Sequence, residues 1–569
     1  MGCWHDWSAQ LHLSCFRNAQ LYWHTLLHLK LVQIWGRVAF RLRIPKPDLR
    51  PAPGLSVANG NWQMPAARRP SMLSPSRFRF LNEEHELRVR GDWNATSLSK
   101  LWLYNLHYFD DLNAERALNR AEWHRSLIDR WVIENPPGLH TGWEPYPLSI
   151  RIVNWIKWIL AGNKMNKASL DSLAAQVRFL TRRLEWHLLG NHLFANAKAL
   201  VFAGCFFKGA EADSWLRLGM GILAKEISEQ ILSDGGHFER STMYHAIALE
   251  DMLDLVNVAQ NFASRLSSYQ QQVADWPQLI CTMHKWMLVM CHPDGEISLF
   301  NDAAFDIAPS VAELDAYAGR LLVDKTLNPK QLPLLHLKDS GYIRLACGPA
   351  VALLDVAPVG PDYLPGHAHA DTLSFELSLG AHRVLVNSGT SCYGDSAERL
   401  RQRGTAAHNT VVVDGKDSSE VWGGFRMARR AYPVGLHIEY SADASAAKVR
   451  CAHNGYARLF GKPTHYRSWR MVAEGLTVID QVEGPHKSAE ARFYFHPTAQ
   501  LETSPDQTKG TVTLTDGTVI TWQLDDGQGR LQASTWHPQF GIVVPNVCLA
   551  VMLVEGRSTL HFRWAACQI

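Results

Sequence analysis

Four segments carry polar side chains whose types and spacing could do chemistry. In Gly190-Asn191-His192-Leu193-Phe194-Ala195-Asn196 an amide stands beside an imidazole at the start of an apolar helix. Asn191 suits a helix N-cap and His192 an ordinary half-buried imidazole, but together they could also hold a carboxylate and move a proton. In Asp234-Gly235-Gly236-His237-Phe238-Glu239-Arg240, leading into Ser241-Thr242-Met243-Tyr244-His245, a helix that includes Arg240 would put Arg240 and Tyr244 on one face, with His237 near the same stripe. A guanidinium beside a phenol lowers the phenol pKa and would favour proton exchange near neutrality. The alternative is a Tyr244 that lines a wall with its hydroxyl satisfied.

The third segment is Gly366-His367-Ala368-His369-Ala370-Asp371, running into Thr372-Leu373-Ser374-Phe375-Glu376-Leu377. As a strand it would align His367, His369 and Asp371 with Leu373, Phe375 and Leu377 on one face, a plausible metal or proton-transfer site. The fourth places alternating Arg399, Arg401 and Arg403 before His408 and the run Val411-Val412-Val413. Such arginines suit paired hydrogen bonds to carboxylate or sulfate, or form a solvated basic loop; Arg426, Arg429 and Arg430 make a further basic cluster.

The elements that must position these groups fall into two textures. Residues 42–97 read as a Pro- and Gly-rich connector. From about Ser99 to Arg320 segments such as SIRIVNWIKWIL, HLFANAKALVFAGCFF and YHAIALEDMLDLVNVA carry apolar residues at three-to-four spacing, predicting antiparallel helix pairs. After about Leu332 short alternating runs such as YIRLACG, HRVLVNSGT and VTLTDGTVITWQL predict stacked antiparallel sheets, with Asp516-Gly517 as a type I′ hairpin turn. Trp102, Trp143 and Trp155 could stack on sugar rings, although their helical spacing also suits the core.

At 569 residues the chain exceeds one ordinary core, and 46% apolar with 20% charged residues excludes wholesale disorder. The formal charge of +3 gives no global field for nucleic acid, and zinc-finger and Walker spacings are lacking. Ten scattered cysteines form no CxxC pair or disulfide framework. Asn18, Gln20, His24, His28, Lys30 and Arg37 interrupt the apolar N-terminal stretch, so no run reaches the roughly 20 residues of a membrane span, and a clear signal peptide is lacking. The stretch is expected to form an amphipathic helix packed on the body, with a membrane surface as the alternative.

Taken in order, GNHLFANAKALVFAG, DGGHFERSTMYH, HAHADTLSFELSLG, VLVNSGT and RGTAAHNTVVVDG resemble the heparinase II/III-like family of polysaccharide lyases over about residues 190–415. The resemblance implies an α+β multidomain chain, an N-terminal incomplete α/α toroid followed by a C-terminal antiparallel β-sandwich. The matching division is an N-terminal helix and connector over 1–97, the toroid over 98–330 and the β domain over 331–569. It implies β-elimination next to a uronic acid in heparin- or heparan-sulfate-like glycans or bacterial exopolysaccharides. Asn191 would then hold the uronate carboxylate and His192 would be one base. Tyr244 would be the acid, and also the base for the other C5 epimer, while His367 would assist carboxylate neutralisation from the β domain. Glu239, Arg240 and Arg403 are candidate substrate contacts.

Some relatives bind zinc through two histidines and an aspartate. His369 and His408 match the histidines, but Asn387 stands where aspartate is expected. The resemblance therefore implies a structural zinc that is weak or absent, since an amide brings no charge. The implied compartment is the periplasm or exterior, with the cytoplasm left open. Two other functions stay open: a glycoside hydrolase using two of Glu144, Glu239, Asp294 and Asp302, and a glycan-binding protein of exopolysaccharide production that has lost turnover.

Overall fold

Helical periodicity governs the first half of the chain and strand alternation the second. The computed structural model describes residues 18–323, 332–441 and 446–565, so the first 17 residues considered for a signal peptide lie outside it. A helix over residues 18–26 (α1) is followed by α2 (Leu31–Leu42) and a small hairpin, β1 (Arg77–Phe80) with β2 (Glu83–Glu86). The helical array comprises α3 (Lys100–Tyr108), α4 (Ala121–Glu134), α5 (Pro145–Leu160), α6 (Lys167–Thr181), α7 (Gly190–Phe206), α8 (Ala210–Gln230), α9 (Thr242–Asn261), α10 (Gln270–Ala274), α11 (Trp276–Val289) and α12 (Val311–Arg320).

α7 is the hub. Every residue from Leu193 to Phe206 is buried, and α5, α8 and α9 surround it. Glycines permit the closest approach: a Cβ on Gly204 would stand 2.6 Å from the Leu216 backbone nitrogen of α8. Trp102, Trp143 and Trp155 are all buried in this core, which removes them as sugar platforms. Lysines at the centre of the array are paired with carboxylates, whereas the buried Arg151 is held by Gln176 and the His107 and Gly142 carbonyls. Lys157 and Lys198 both donate to Asp254, at 2.7 and 2.6 Å, and the Tyr317 hydroxyl donates to it at 3.0 Å.

Among the described residues the second half forms three larger antiparallel sheets and a two-stranded ribbon over residues 421–427. A five-stranded meander, β3 (Leu334–Leu337), β4 (Tyr342–Cys347), β5 (Ala350–Asp355), β6 (Phe375–Leu379) and β7 (His382–Leu385), adjoins the helices. An eight-stranded and a four-stranded sheet complete the fold, and Trp469, Trp522, Phe493 and Phe562 lie in the core they share with it. The helix α13 (Ala397–Arg403) interrupts the strands.

Three local expectations are corrected. The Asp516-Gly517 connection does close a hairpin, but only Gly517 has positive φ, at +87°, and its N–H bonds to Leu514, so the turn is not type I′. Residues 366–374 form a loop, with Leu373 at φ +64°, and strand begins only at Phe375. The apolar stripe of α2 points outward instead of packing on the body, and Gln33 is the helix's buried side chain.

Candidate active site

Two consecutive left-handed residues, Leu189 at φ +63° and Gly190 at φ +54°, turn the chain sharply into α7. A Cβ on Gly190 would lie 2.4 Å from Leu364 Cδ2 and 3.2 Å from Glu239 Oε1, so only glycine fits. Leu189 holds the cap position, which puts Asn191 and His192 inside the first turn, both half-buried. Among the described residues the Asn191 carboxamide has no hydrogen-bond partner, while His192 Nδ1 lies 3.0 Å from Glu185 Oε1. Glu185 is fixed in turn by Asn196, whose Nδ2 donates to Oε2 at 3.0 Å and whose Oδ1 accepts the Glu185 N–H at 2.9 Å. A carboxylate only accepts, so the Glu185 contact places a hydrogen on His192 Nδ1 and leaves Nε2 facing away from it.

The second wall comes from the start of α9. Ser241 is the N-cap and its Oγ accepts the Tyr244 N–H at 3.2 Å, fixing where Tyr244 leaves the helix. The helix therefore begins after Arg240, which has φ +57° and does not share the Tyr244 face. Its Nε donates to the Ser340 carbonyl at 2.9 Å, so this side chain ties the two halves together and does not lower the Tyr244 pKa. Burial raises that pKa well above the ordinary phenol value, and neighbouring Tyr393 and Asp302 raise it further. Tyr244 is thus protonated at neutral pH, in the state an acid needs. His237 lies buried beneath the site, its Nε2 3.2 Å from Gln230 Oε1.

The β half supplies His367, whose ring centroid is 3.9 Å from that of Tyr244 and whose Nδ1 is 3.4 Å from Glu239 Oε2. Because residues 366–374 are a loop, His367, His369 and Asp371 diverge. His367 faces the cleft, His369 Nε2 is 2.8 Å from Asp302 Oδ1, and Asp371 Oδ2 accepts the Asn301 N–H at 3.2 Å. Asn301 and Asp302 act as the clasp: Asn301 Nδ2 donates to the Arg240 carbonyl at 3.0 Å, its Oδ1 accepts the His369 N–H at 2.9 Å, and the Asp302 N–H donates to the His367 carbonyl at 2.9 Å.

Two of the alternating arginines are buried and engaged within the fold, while Arg401 is exposed. Arg399 is fully buried and donates from Nη2 to Asp302 at 2.6 Å. Arg401 donates to Glu398 at 2.7 Å. Arg403, also fully buried, gives its protons to the carbonyls of Pro365, Ala368 and Gly423, so it shapes the His367 loop from behind.

Electrostatically the cleft is unusual. Burial holds His367 down to about 3, so it is neutral. Burial, then the Asp302 charge, pushes the Glu239 carboxyl up to about 8, leaving a protonated acid beside Asn191 and His367. The other carboxylates weighed for a hydrolytic pair are engaged elsewhere: Glu144 with Lys100 at 2.9 Å, Asp294 with Arg383 at 2.6 Å and Asp302 with Arg399.

The zinc position can be tested on its donors. His369 Nδ1, His408 Nε2 and Asn387 Nδ2 are buried without hydrogen-bond partners, and the two imidazole centroids are 5.2 Å apart. Asn387 Oδ1 is 3.2 Å from His408 Nδ1, and Asp302 and Asp371 are already engaged. Among the described residues no group of three His, Cys, Asp or Glu side chains could hold a metal ion. Two neutral imidazoles lacking an anionic partner do not fit a tight zinc site.

Two contributors escaped the sequence reading. Tyr393, 3.0 Å from Tyr244 hydroxyl to hydroxyl, follows VLVNSGT by three residues, and an aromatic in that Ser/Gly loop was the available signal. Glu185 lies in a helix-to-helix connection with no pattern to mark it.

Family models for the heparinase II/III N-terminus and the heparinase II/III-like C-terminal region match residues 114–317 and 329–565. A heparin-sulfate lyase of Bacteroides stercoris is 26% identical over 248 residues, covering 40% of this chain and 36% of the relative. Across three heparin-sulfate lyases the match covers 36–53% of the relative's own length. The FtsZ-localized protein C of Caulobacter vibrioides is 22% identical over 74% of both chains. A crystal structure of heparinase III superposes with TM-score 0.71 at 18% identity, over 93% of this chain and 88% of that one, a likeness of fold.

Proposed function

The chain belongs to the heparinase II/III-like family, and from that premise we propose that it is a polysaccharide lyase that cleaves a uronic-acid-containing glycan by β-elimination. One observation carries the reading: His192, Tyr244, Glu239 and His367 come together from both halves of the chain, with Tyr244 and Glu239 kept protonated and His367 neutral. Elimination needs the uronate charge neutralised, a base for the C5 proton and an acid for the leaving O4.

The Asn191 carboxamide and the protonated Glu239 carboxyl donate to the uronate carboxylate, where charge accumulates as the C5 proton leaves. Neutral His367 packs against the Tyr244 ring and completes that wall. His192 Nε2 takes the C5 proton, and Glu185 stabilises the imidazolium so formed. Tyr244, kept protonated by burial, gives its proton to O4. For the opposite epimer the C5 hydrogen lies on the Tyr244 side, and the tyrosine would serve both steps only as the phenolate, having first lost its hydroxyl proton to solvent, so that the C5 proton it takes is the one it gives to O4. Heparin- or heparan-sulfate-like chains and bacterial exopolysaccharides are the candidate substrates. Because the buried arginines are spent on the fold, carboxylate recognition outweighs dense sulfate recognition. Zinc is expected to bind weakly or not at all.

Mass spectrometry of the products tests this. Elimination yields fragments of which one is lighter by a water than its hydrolytic counterpart. Full-mass fragments at both new ends would replace the lyase with a hydrolase, and unchanged polymer across uronic-acid glycans would favour binding without turnover.

A further inference from the structure

Amphipathic helices on a soluble protein normally turn their apolar stripe inward; α2 does the reverse. Leu31, Trp35, Val38 and Leu42, spaced to lie on one face, are exposed by 74%, 71%, 44% and 79%. The orientation is fixed from beneath. A Cβ on Gly36 would stand 2.9 Å from the His187 backbone nitrogen, so this side of the helix lies directly on the 186–187 backbone. Phe40 packs on His187, ring centroids 4.2 Å apart, and under the Arg183 guanidinium at 3.5 Å. Gln33 donates to the Tyr363 carbonyl at 3.2 Å, and Lys30 pairs with Glu229. Anchored by these contacts, the helix cannot roll its leucines into the core. α1 continues the surface, with Trp23 exposed by 62%.

The charges around the stripe identify what covers it. From residue 18 to residue 47 the chain has no Asp or Glu. Arg37 and Arg41 flank one edge of the stripe and Arg43 caps its C-terminal end, and none of them is ion-paired among the described residues. Leucine and tryptophan beside unpaired arginines match the boundary of an anionic bilayer, where apolar side chains enter the acyl region and arginines meet lipid phosphates. A protein partner of ordinary surface would not need this wholly positive border. We propose that α1 and α2 seat the protein on an anionic membrane surface, lying in the interface without crossing it. No helix among the described residues is long and apolar enough to cross.

Sedimentation of the full chain with phosphatidylcholine vesicles, with and without phosphatidylglycerol, tests the proposal. Wild type is expected to bind the phosphatidylglycerol vesicles and to release at high salt in part. W35E/L42E should abolish binding to both vesicle types. R37Q/R41Q/R43Q should lower affinity for the anionic vesicles by about a hundredfold and leave residual neutral binding unchanged. Circular dichroism and melting curves matching wild type certify that each variant is folded. Three results would overturn the proposal: no vesicle binding by folded wild type; a dimer in light scattering that W35E/L42E dissociates and vesicles do not; or a photo-cross-linker at position 35 that captures residues 1–17 in place of lipid.

Discussion

The hydroxyls of Tyr244 and Tyr393 lie 3.0 Å apart, one on the first turn of α9 and the other on a loop of the β half. The proposed acid is therefore assembled from both halves of the chain. Tyr393 can receive the Tyr244 hydrogen bond at rest and hold the phenolate after the proton has gone to the leaving oxygen.

Tyr244→Phe should lower kcat by about a thousandfold, within the usual reach of general acid catalysis, with glycan affinity and melting temperature near wild type. Tyr393→Phe should cost about tenfold in kcat, since it removes only the partner. Steady-state kinetics beside binding isotherms check both.

Glu185→Gln should reduce kcat by about tenfold or more with little change in KM. The amide can still accept from His192 Nδ1, but it no longer stabilises the imidazolium. An equal loss in KM would mean that Glu185 acts by shaping the cleft.

Glu239 has a folded pKa of about 8, raised by burial from an ordinary carboxyl value near 4.5. As pH climbs from 4.5 towards 8 the unfolded chain loses this proton while the folded chain keeps it, so stability falls with rising pH across that window. Glu239→Gln should flatten the fall and be more stable than wild type at pH 8. If protonated Glu239 donates to the uronate, wild-type activity should also decline above about pH 8, and the glutamine variant should lose that limb. Denaturant melts and pH–rate profiles check the two halves of the prediction.

Asn387→Asp would supply the anionic donor missing between His369 and His408. The variant is expected to retain about one zinc per chain through purification without added metal, and wild type to retain less. Metal analysis decides, and melting curves should show the variant stabilised only when zinc is present. His408→Ala should destabilise by about 1–3 kcal/mol, as it empties a buried site, and alter kcat less than stability.

Much of the fold was legible because periodicity is a property of short windows: α12 carries a one-sided apolar stripe and residues 464–472 and 519–526 alternate, whereas α7 and the strands β4–β6 are buried on all sides and were marked by their apolar runs. The motif segments likewise singled out Asn191, His192, Tyr244 and His367, which the folded chain brings close together. What failed was local geometry set by distant partners. HAHAD has strand-like alternation, but His367, His369 and Asp371 find Glu239, Asp302 and Asn301 in three directions, so the backbone is a loop. Arg399 and Arg403 look solvated in sequence because Asp302 and the Ala368 carbonyl lie 97 and 35 residues away. The α2 stripe failed for another reason: an apolar periodicity says which residues share a face and leaves open which way that face turns.

The most direct test of the elimination mechanism is ultraviolet absorbance during incubation with a panel of uronic-acid polysaccharides, wild type beside Tyr244→Phe. A double bond conjugated to the uronate carboxylate absorbs, and hydrolysis forms none. Rising absorbance with wild type on at least one glycan, and a flat trace with the variant, is the result expected. Reducing ends appearing without absorbance, or a variant as fast as wild type, would contradict the mechanism.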